Sequence, residues 1–279
     1  MELIKVYAKQ LKLPTVIHFD EVIRQAGEQG WGYEQFLHEI LARELNQRQE
    51  NQHKRRIRGA RFPLNKSLDT FNFKNLPQVN EAAVWQLAAG DFVNRRENII
   101  MIGNPGTGKT HLAIGLGRRL CQAGYHVRFY TAANLVMELS EAQEFNRLSR
   151  LEHALARVDL LIVDELSYLT FSRAHAELLF HVLSNRNERG SVIITTNLEF
   201  SRWGELFPND MLTAALIDRL THNAHILNMN AESYRLKERL RQGNLGSAGI
   251  SFRCEVMKGA NRPSEPETDP LEQSGSVSG

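Results

Sequence analysis

The octapeptide "GNPGTGKT", Gly103 to Thr110, constrains this 279-residue chain more than any other stretch. It fits the phosphate-loop pattern G-x-x-x-x-G-K-[ST] at every fixed position. The apolar run "NIIMI" precedes it, and the helical pattern "THLAIGLGRRL" follows. Strand, glycine loop and helix in that order form the context in which such a loop works. Its glycines let the backbone curl, so that N–H groups and the helix N-terminus surround phosphate oxygens. The bland alternative, a glycine-rich turn without a ligand, does not call for the lysine and hydroxyl at its end.

The rest of the central region repeats the same rhythm. "HVRFYTA", "DLLIVDE" and "SVIITTN" are short, β-branched or aromatic, and apolar on both faces, with helical stretches between them. That alternation predicts an α/β fold, a parallel sheet with crossover helices. A fifth run, "HILNM" at 225–229, is expected to close it. Ahead of the core, Tyr33, Phe36, Leu37, Ile40, Leu41 and Leu45 recur at three- and four-residue spacing and predict an amphipathic helix. Phe19, Val22, Ile23 and Ala26 suggest a shorter helix before it, with a turn at Gly30 and Gly32. The expected organisation is a helical module over 1–61, a connector over 62–97, the α/β core over 98–241 and a tail over 242–279. The tail contains "GANRPSEPETDPLEQSGSVSG", which is rich in Pro, Gly, Ser and Glu and reads as disordered.

Composition bounds the alternatives. Forty-two per cent of residues are apolar, 24% are charged and the formal net charge is +2, as in a globular protein. The unbroken apolar stretches fall far short of the ~20 residues that cross a bilayer. The first residues, "MELIKVYAKQLKLP", interleave charges and carry no signal-peptide core. Two cysteines, Cys121 and Cys254, exclude a disulfide framework. The expectation is a cytoplasmic chain in a reducing compartment without a membrane partner. The near-neutral total hides a basic run. Arg48, Lys54, Arg55, Arg56, Arg58 and Arg61 stand there against one acid, Glu50. Such a run is either a phosphate-contacting surface or a solvated helix face.

The chemistry follows from three strand ends. Lys109 is expected to reach the β- and γ-phosphates of a nucleotide, and the Thr110 hydroxyl to hold Mg²⁺. Asp164 closes "LLIVD" and suits a contact to the same ion, with Glu165 next to it placed to orient and deprotonate a water. Asn197, ending "VIITTN", either hydrogen-bonds that water or the γ-phosphate, or caps the next turn. A nucleotide kinase needs no water-activating carboxylate, so the Asp164–Glu165 pair favours hydrolysis.

These motifs, followed by "LIDRL" and "SYRLK", resemble the AAA+ ATPases, and more closely the branch with DnaC-type helicase loaders and IstB-type helpers of insertion-sequence transposition. The IstB type fits best, through "LKLPTVIHFDEVIRQAGEQGWGYEQFLHEILARE", "RRIRGARFPLNKSLDTFNF" and "AALIDRLTHNAHIL…ESYRLKERL". The resemblance implies an AAA+ core, but after "SYRLKERL" the chain soon becomes tail-like, too short for the full helical lid of larger AAA+ proteins. ATP would lie against Gly103, Asn104, Pro105, Gly106, Thr107, Gly108, Lys109, Thr110 and His111, with Arg235 as a second sensor. Arg219 would act in trans on the γ-phosphate held by a neighbouring subunit, where a local Asp218–Arg219 ion pair is the alternative. It further implies sequence-nonspecific binding of double-stranded DNA, recruitment of a cognate transposase, and assembly as a homo-oligomer. Lys54, Arg55, Arg56 and Arg58 are the candidate DNA contacts, with Arg147, Arg150 and Arg173 behind them. One departure stands out, since "MNAESYR" has no glycine directly before "SYR". A replicative helicase loader is the nearest alternative, and a P-loop nucleotide kinase a more distant one.

Overall fold

The computed structural model describes residues 2–168, 171–207, 209–231 and 233–234. Arg235, Cys254, the tail and the region bearing on a lid lie outside the described residues. Three helices come first, α1 (Glu2–Gln10), α2 (Phe19–Gln29) and α3 (Tyr33–Ala60). Gly30 ends α2 in the left-handed conformation at φ 64°, as a chain reversal before α3 requires. Helix α3 runs for 28 residues, continuing through the basic run without a break. It stops at Arg61, which is itself left-handed at φ 56°.

After the connector, α4 (Glu81–Ala89) and α5 (Asp91–Asn94) lead into the sheet. The α/β succession is β1 (Asn98–Ile102), α6 (Lys109–Ala123), β2 (Val127–Thr131), α7 (Ala132–Glu144), α8 (Leu148–Ala156), β3 (Leu160–Asp164), α9 (Arg173–Arg186), β4 (Ser191–Thr196), α10 (Asp210–Thr221) and β5 (Ala224–Asn228). All five expected strands form, and their pairings are parallel, in the order β2-β3-β4-β1-β5. The chain leaves β1 for the far edge, walks back through β3 and β4, and ends on the other side of β1. That reversal beside β1 creates a crevice beyond the carboxyl ends of the strands, where α/β sheets seat ligands.

Burial explains why the strands were readable. Every residue of β1, β3 and β4 is buried, because helices cover both faces. Ile100, Leu161, Val163, Val192 and Ile194 face a layer made by α7, α8, α9 and α10. Ile99, Met101, Leu160, Ile162 and Ile193 face α6, α4 and the connector. The edge strand β5 is only partly covered. On the second face the glycines of α6 admit the connector: a Cβ on Gly115 would come 3.0 Å from the Leu68 backbone nitrogen, and one on Gly117 3.0 Å from the Phe62 ring.

The helical module departs from expectation on one point. Phe36 and Ile40 are half-buried, but Tyr33, Leu37, Leu41 and Leu45 are exposed. Arg48 also leaves the expected phosphate-contacting set. Its guanidinium donates to buried Glu44 at 2.8 Å and to the Lys12 carbonyl at 2.7 Å. Burial pushes the Glu44 carboxyl up, but hydrogen bonds from Arg48 and Thr15 outweigh it and hold the group below its ordinary value. Arg48 thereby ties α3 to the α1–α2 connection rather than facing solvent anions.

Candidate nucleotide site

The phosphate loop follows β1 directly, at the crevice between β1 and β4. Gly103 has no room for a side chain, since a Cβ there would sit 2.4 Å from the Met229 carbonyl oxygen. Gly108 needs its freedom twice over: its φ is 98°, and a Cβ would meet Phe71 of the connector at 2.9 Å. Helix α6 starts at the next residue, so its unpaired N–H groups open onto the loop. Lys109 is buried, and its ammonium donates to the carbonyls of Gly103 and Asn104 at 2.6 and 2.8 Å. Thr107 closes the loop by donating its hydroxyl to the Asn104 carbonyl at 2.9 Å.

Asp164, at the end of β3, is 2% exposed. Its carboxylate accepts from the Thr110 hydroxyl at 2.9 Å and from the Thr195 hydroxyl. Burial pushes this carboxyl above its ordinary value, opposed by those two hydroxyls and by the nearby Lys109 charge. A buried carboxylate beside a hydroxyl, both hard oxygen donors at the mouth of a phosphate loop, fits a divalent magnesium ion. Among the described residues, no group of three or more His, Cys, Asp or Glu side chains is arranged to hold a metal. The remaining positions around a magnesium ion would therefore come from phosphate oxygens and water.

Glu165 turns where Asp164 stops. Its φ is 60°, a left-handed conformation that glutamate seldom adopts, and its N–H donates to the Thr195 hydroxyl at 2.9 Å. Asp164 stays buried in the sheet end while Glu165 is exposed and lines the cleft. Asn197 lines it too, its backbone N–H held by the Ser167 hydroxyl at 2.9 Å. The cleft encloses about 370 Å³ and brings together Gly106, Lys109, Thr110, Glu165, Thr195 and Asn197. A neighbouring cavity of about 220 Å³ shares Gly108, His111 and Tyr234 with it and adds Phe71 and Asn72. His111 contacts the Ser67 carbonyl at 2.9 Å, and burial lowers its pKa.

Thr195 escaped the sequence reading. Strand β4 lies between β1 and β3, with Thr195 level with Met101, so one hydroxyl serves both the Asp164 carboxylate and the Glu165 backbone. The only signal was a doubled threonine before Asn197, which has no meaning until the strand order is known. Lys66 and Tyr234 also line the cleft unforeseen. Tyr234 donates its N–H to the Gly106 carbonyl at 3.0 Å, bringing the chain against the loop one residue before Arg235.

Arg219 is not brought into the cleft of its own chain. It is exposed near the end of α10, its guanidinium 5.2 Å from the centre of the Phe180 ring. Among the described residues no ion pair joins it to Asp218. Lys54, Arg55, Arg56 and Arg58 lie on the last turns of α3, away from the cleft lining. Lys54 approaches Glu50 at 3.5 Å and Arg56 donates to Gln52 at 3.4 Å. Arg173 pairs with Glu177 at 3.1 Å, whereas Arg147 and Arg150 are exposed.

The comparisons agree with this geometry. The chain is 39% identical over 246 residues to an IS21 insertion-sequence protein of Pseudomonas aeruginosa named for ATP binding, covering 88% of this chain and 93% of that one. It is 35% identical to the corresponding IS5376 protein of Geobacillus stearothermophilus, covering 86% and 96%. In fold it matches AMPPCP-bound DnaA from Aquifex aeolicus with a TM-score of 0.53 at 19% identity, covering 67% of this chain and 58% of that one. The parallel sheet thus shares its fold with that nucleotide-bound protein. The IstB-like ATP binding protein family matches residues 6–242, and this chain belongs to that family.

Proposed function

We propose that the protein hydrolyses ATP with Mg²⁺ as a regulatory step, in a homo-oligomer that binds duplex DNA without sequence preference and recruits a transposase. The convergence of Lys109, Thr110, Asp164, Glu165 and Asn197 on one cleft carries the hydrolytic part of this reading. The family and the insertion-sequence relatives support the rest.

In this reading the loop amides and Lys109 cradle the β- and γ-phosphates, and the adjoining cavity takes the nucleoside beside Phe71 and Tyr234. Thr110 and Asp164 would hold Mg²⁺, which when bound neutralises charge on the β- and γ-oxygens. Glu165 takes a proton from the attacking water, and Asn197 orients that water or the γ-phosphate. Arg235 contacts nucleotide within its own subunit. Arg219 contacts the γ-phosphate held by a neighbour, where a guanidinium supplied in trans is worth roughly 10³–10⁵ in rate. Its exposure, and its place outside its own cleft, are what such a role needs. The exposed apolar stripe of α3 supports an assembly role for the helical module.

Fluorescence anisotropy of a random-sequence duplex tests this function, with ATP, a non-hydrolysable analogue, ADP or no nucleotide, while complexes are sized. The expected result is tight binding and large assemblies only with the triphosphate, both lost in Arg219→Ala. Nucleotide-independent or absent DNA binding overturns the reading and leaves a protein partner as the substrate of the ATPase cycle.

A further inference from the structure

A third cavity lies along the sheet edge, where the last turns of α3 cross β2. It encloses about 340 Å³. Its floor is apolar, made by Val127 and by Leu151, Leu155 and Val158 from α8 and its end. Its polar lining comes from two different parts of the chain: Arg55 and Arg56 from α3, and His126 and Arg128 from the start of β2. No carboxylate lines it. Asp159 accepts the His126 backbone N–H at 2.7 Å and stands 3.4 Å from the His126 ring.

Three guanidiniums around one concavity repel one another unless an anion joins them. Arg128 is held ready for one. It donates through Nη1 to the Gly59 carbonyl at 2.9 Å and through Nε to the Tyr130 hydroxyl at 3.3 Å, which fixes the guanidinium and leaves its Nη2 donors for a ligand. An ordered guanidinium loses little freedom when it grips a phosphate.

We propose that this notch seats a backbone phosphate of duplex DNA, gripped jointly by Arg55 and Arg56 of the helical module and Arg128 of the ATPase core. The inference rests on the DNA-binding reading above and adds Arg128 and His126 to the contacting set. It makes the DNA a bridge between the two parts of the chain. The phosphate loop follows β1, three strands from β2 in the sheet and so about 14 Å away across it. DNA in the notch therefore leaves the nucleotide cleft open.

The test is the salt dependence of random-duplex binding by the full chain in the triphosphate state. Arg128→Gln and, separately, Arg55→Gln are compared with Arg202→Gln, an exposed arginine on another face that pairs with Glu205 at 2.8 Å. Each notch variant is expected to weaken DNA binding about tenfold near physiological salt and to flatten the log–log salt slope by about 1. ATP affinity should be unchanged, and Arg202→Gln should match the parent. Arg128→Lys, which keeps the charge, should retain part of the affinity and the full slope. If Lys54→Gln weakens binding while Arg55→Gln and Arg128→Gln do not, the notch is overturned and the DNA reading stands. If the parent protein itself fails to bind duplex with ATP, the DNA reading falls and takes the notch with it.

Discussion

The α/β core and the helical module treat the same kind of residue in opposite ways. In β1, Ile99, Ile100 and Met101 are completely buried, whereas on α3 Leu37, Leu41 and Leu45 remain 57%, 52% and 57% exposed. Both stretches are apolar at the spacing their element demands. The difference lies in what surrounds them. Crossover helices cover both faces of the sheet, but in the module α2 and the turn at Thr15–His18 cover only part of α3, and α1 leaves Leu3, Ile4 and Tyr7 in solvent as well. Within the core itself, the residues proposed to act divide again. Lys109, Thr110 and Glu165 meet in one cleft within the chain, while Arg219 stays outside it over Phe180.

Several substitutions would break or sharpen that contrast. The largest effect is expected at Glu165→Gln, which should retain ATP binding while ATP turnover falls roughly 10²–10⁴-fold, as for loss of a general base. Parent-like turnover would remove Glu165 from the chemistry. Next, Ile162→Ala should cost about 2–5 kcal/mol in denaturant unfolding, since the side chain is enclosed between β3 and α6. Leu37→Ala should stay within roughly ±0.5 kcal/mol, and Leu37→Glu with Leu41→Glu should alter assembly size rather than subunit stability. Equal destabilisation by Ile162→Ala and Leu37→Ala would erase the distinction between the two regions.

Smaller effects probe the edges of the site and sheet. Thr195→Val keeps the shape of the side chain but strips the hydroxyl shared by Asp164 and the Glu165 N–H. We expect about a tenfold fall in kcat, with Thr195→Ser near the parent; an unchanged Thr195→Val would mean that the bridge is dispensable. At the edge strand, Arg95 and His225 beside Glu97 hold its carboxyl down to about 2 from 4.5. The sign follows from that depression: the ionised form stabilises the fold above about 4.5, and this contribution is lost as pH falls towards about 2. Acid unfolding of Glu97→Gln should therefore be less steep between those values, and identical acid profiles would contradict the assignment.

How much of this was legible in the sequence depended on how local each cause was. The loop from Gly103 to Thr110 was legible from its pattern, and β1, β3 and β4 because burial on both faces writes a continuous apolar run into each; the edge strands β2 and β5, only partly covered, showed through their β-branched and aromatic residues. Strand order was not, since no local pattern says that β4 inserts between β1 and β3. That is why Thr195 was missed while Asp164 and Asn197 were not. The left-handed turn at Glu165 is equally invisible beforehand, as glutamate carries no signal for it. The helical spacing of Tyr33, Leu37, Leu41 and Leu45 reported the helix but not whether anything would cover it. Likewise the charge of Arg48 reported a basic face, and only the fold shows it consumed by Glu44 and the Lys12 carbonyl.

The central claim is that hydrolysis needs two subunits, one contributing Glu165 and Lys109 and the other Arg219. Mixing Arg219→Ala with Glu165→Gln protein tests it most directly, with each variant first measured alone for ATP turnover. Each should be nearly inactive by itself. On mixing, an Arg219→Ala cleft can sit against a Glu165→Gln neighbour that still carries its arginine, so turnover should recover to a substantial fraction of the parent. If the mixture stays as inactive as its components while assembling normally, Arg219 does not act across the interface and the account is contradicted.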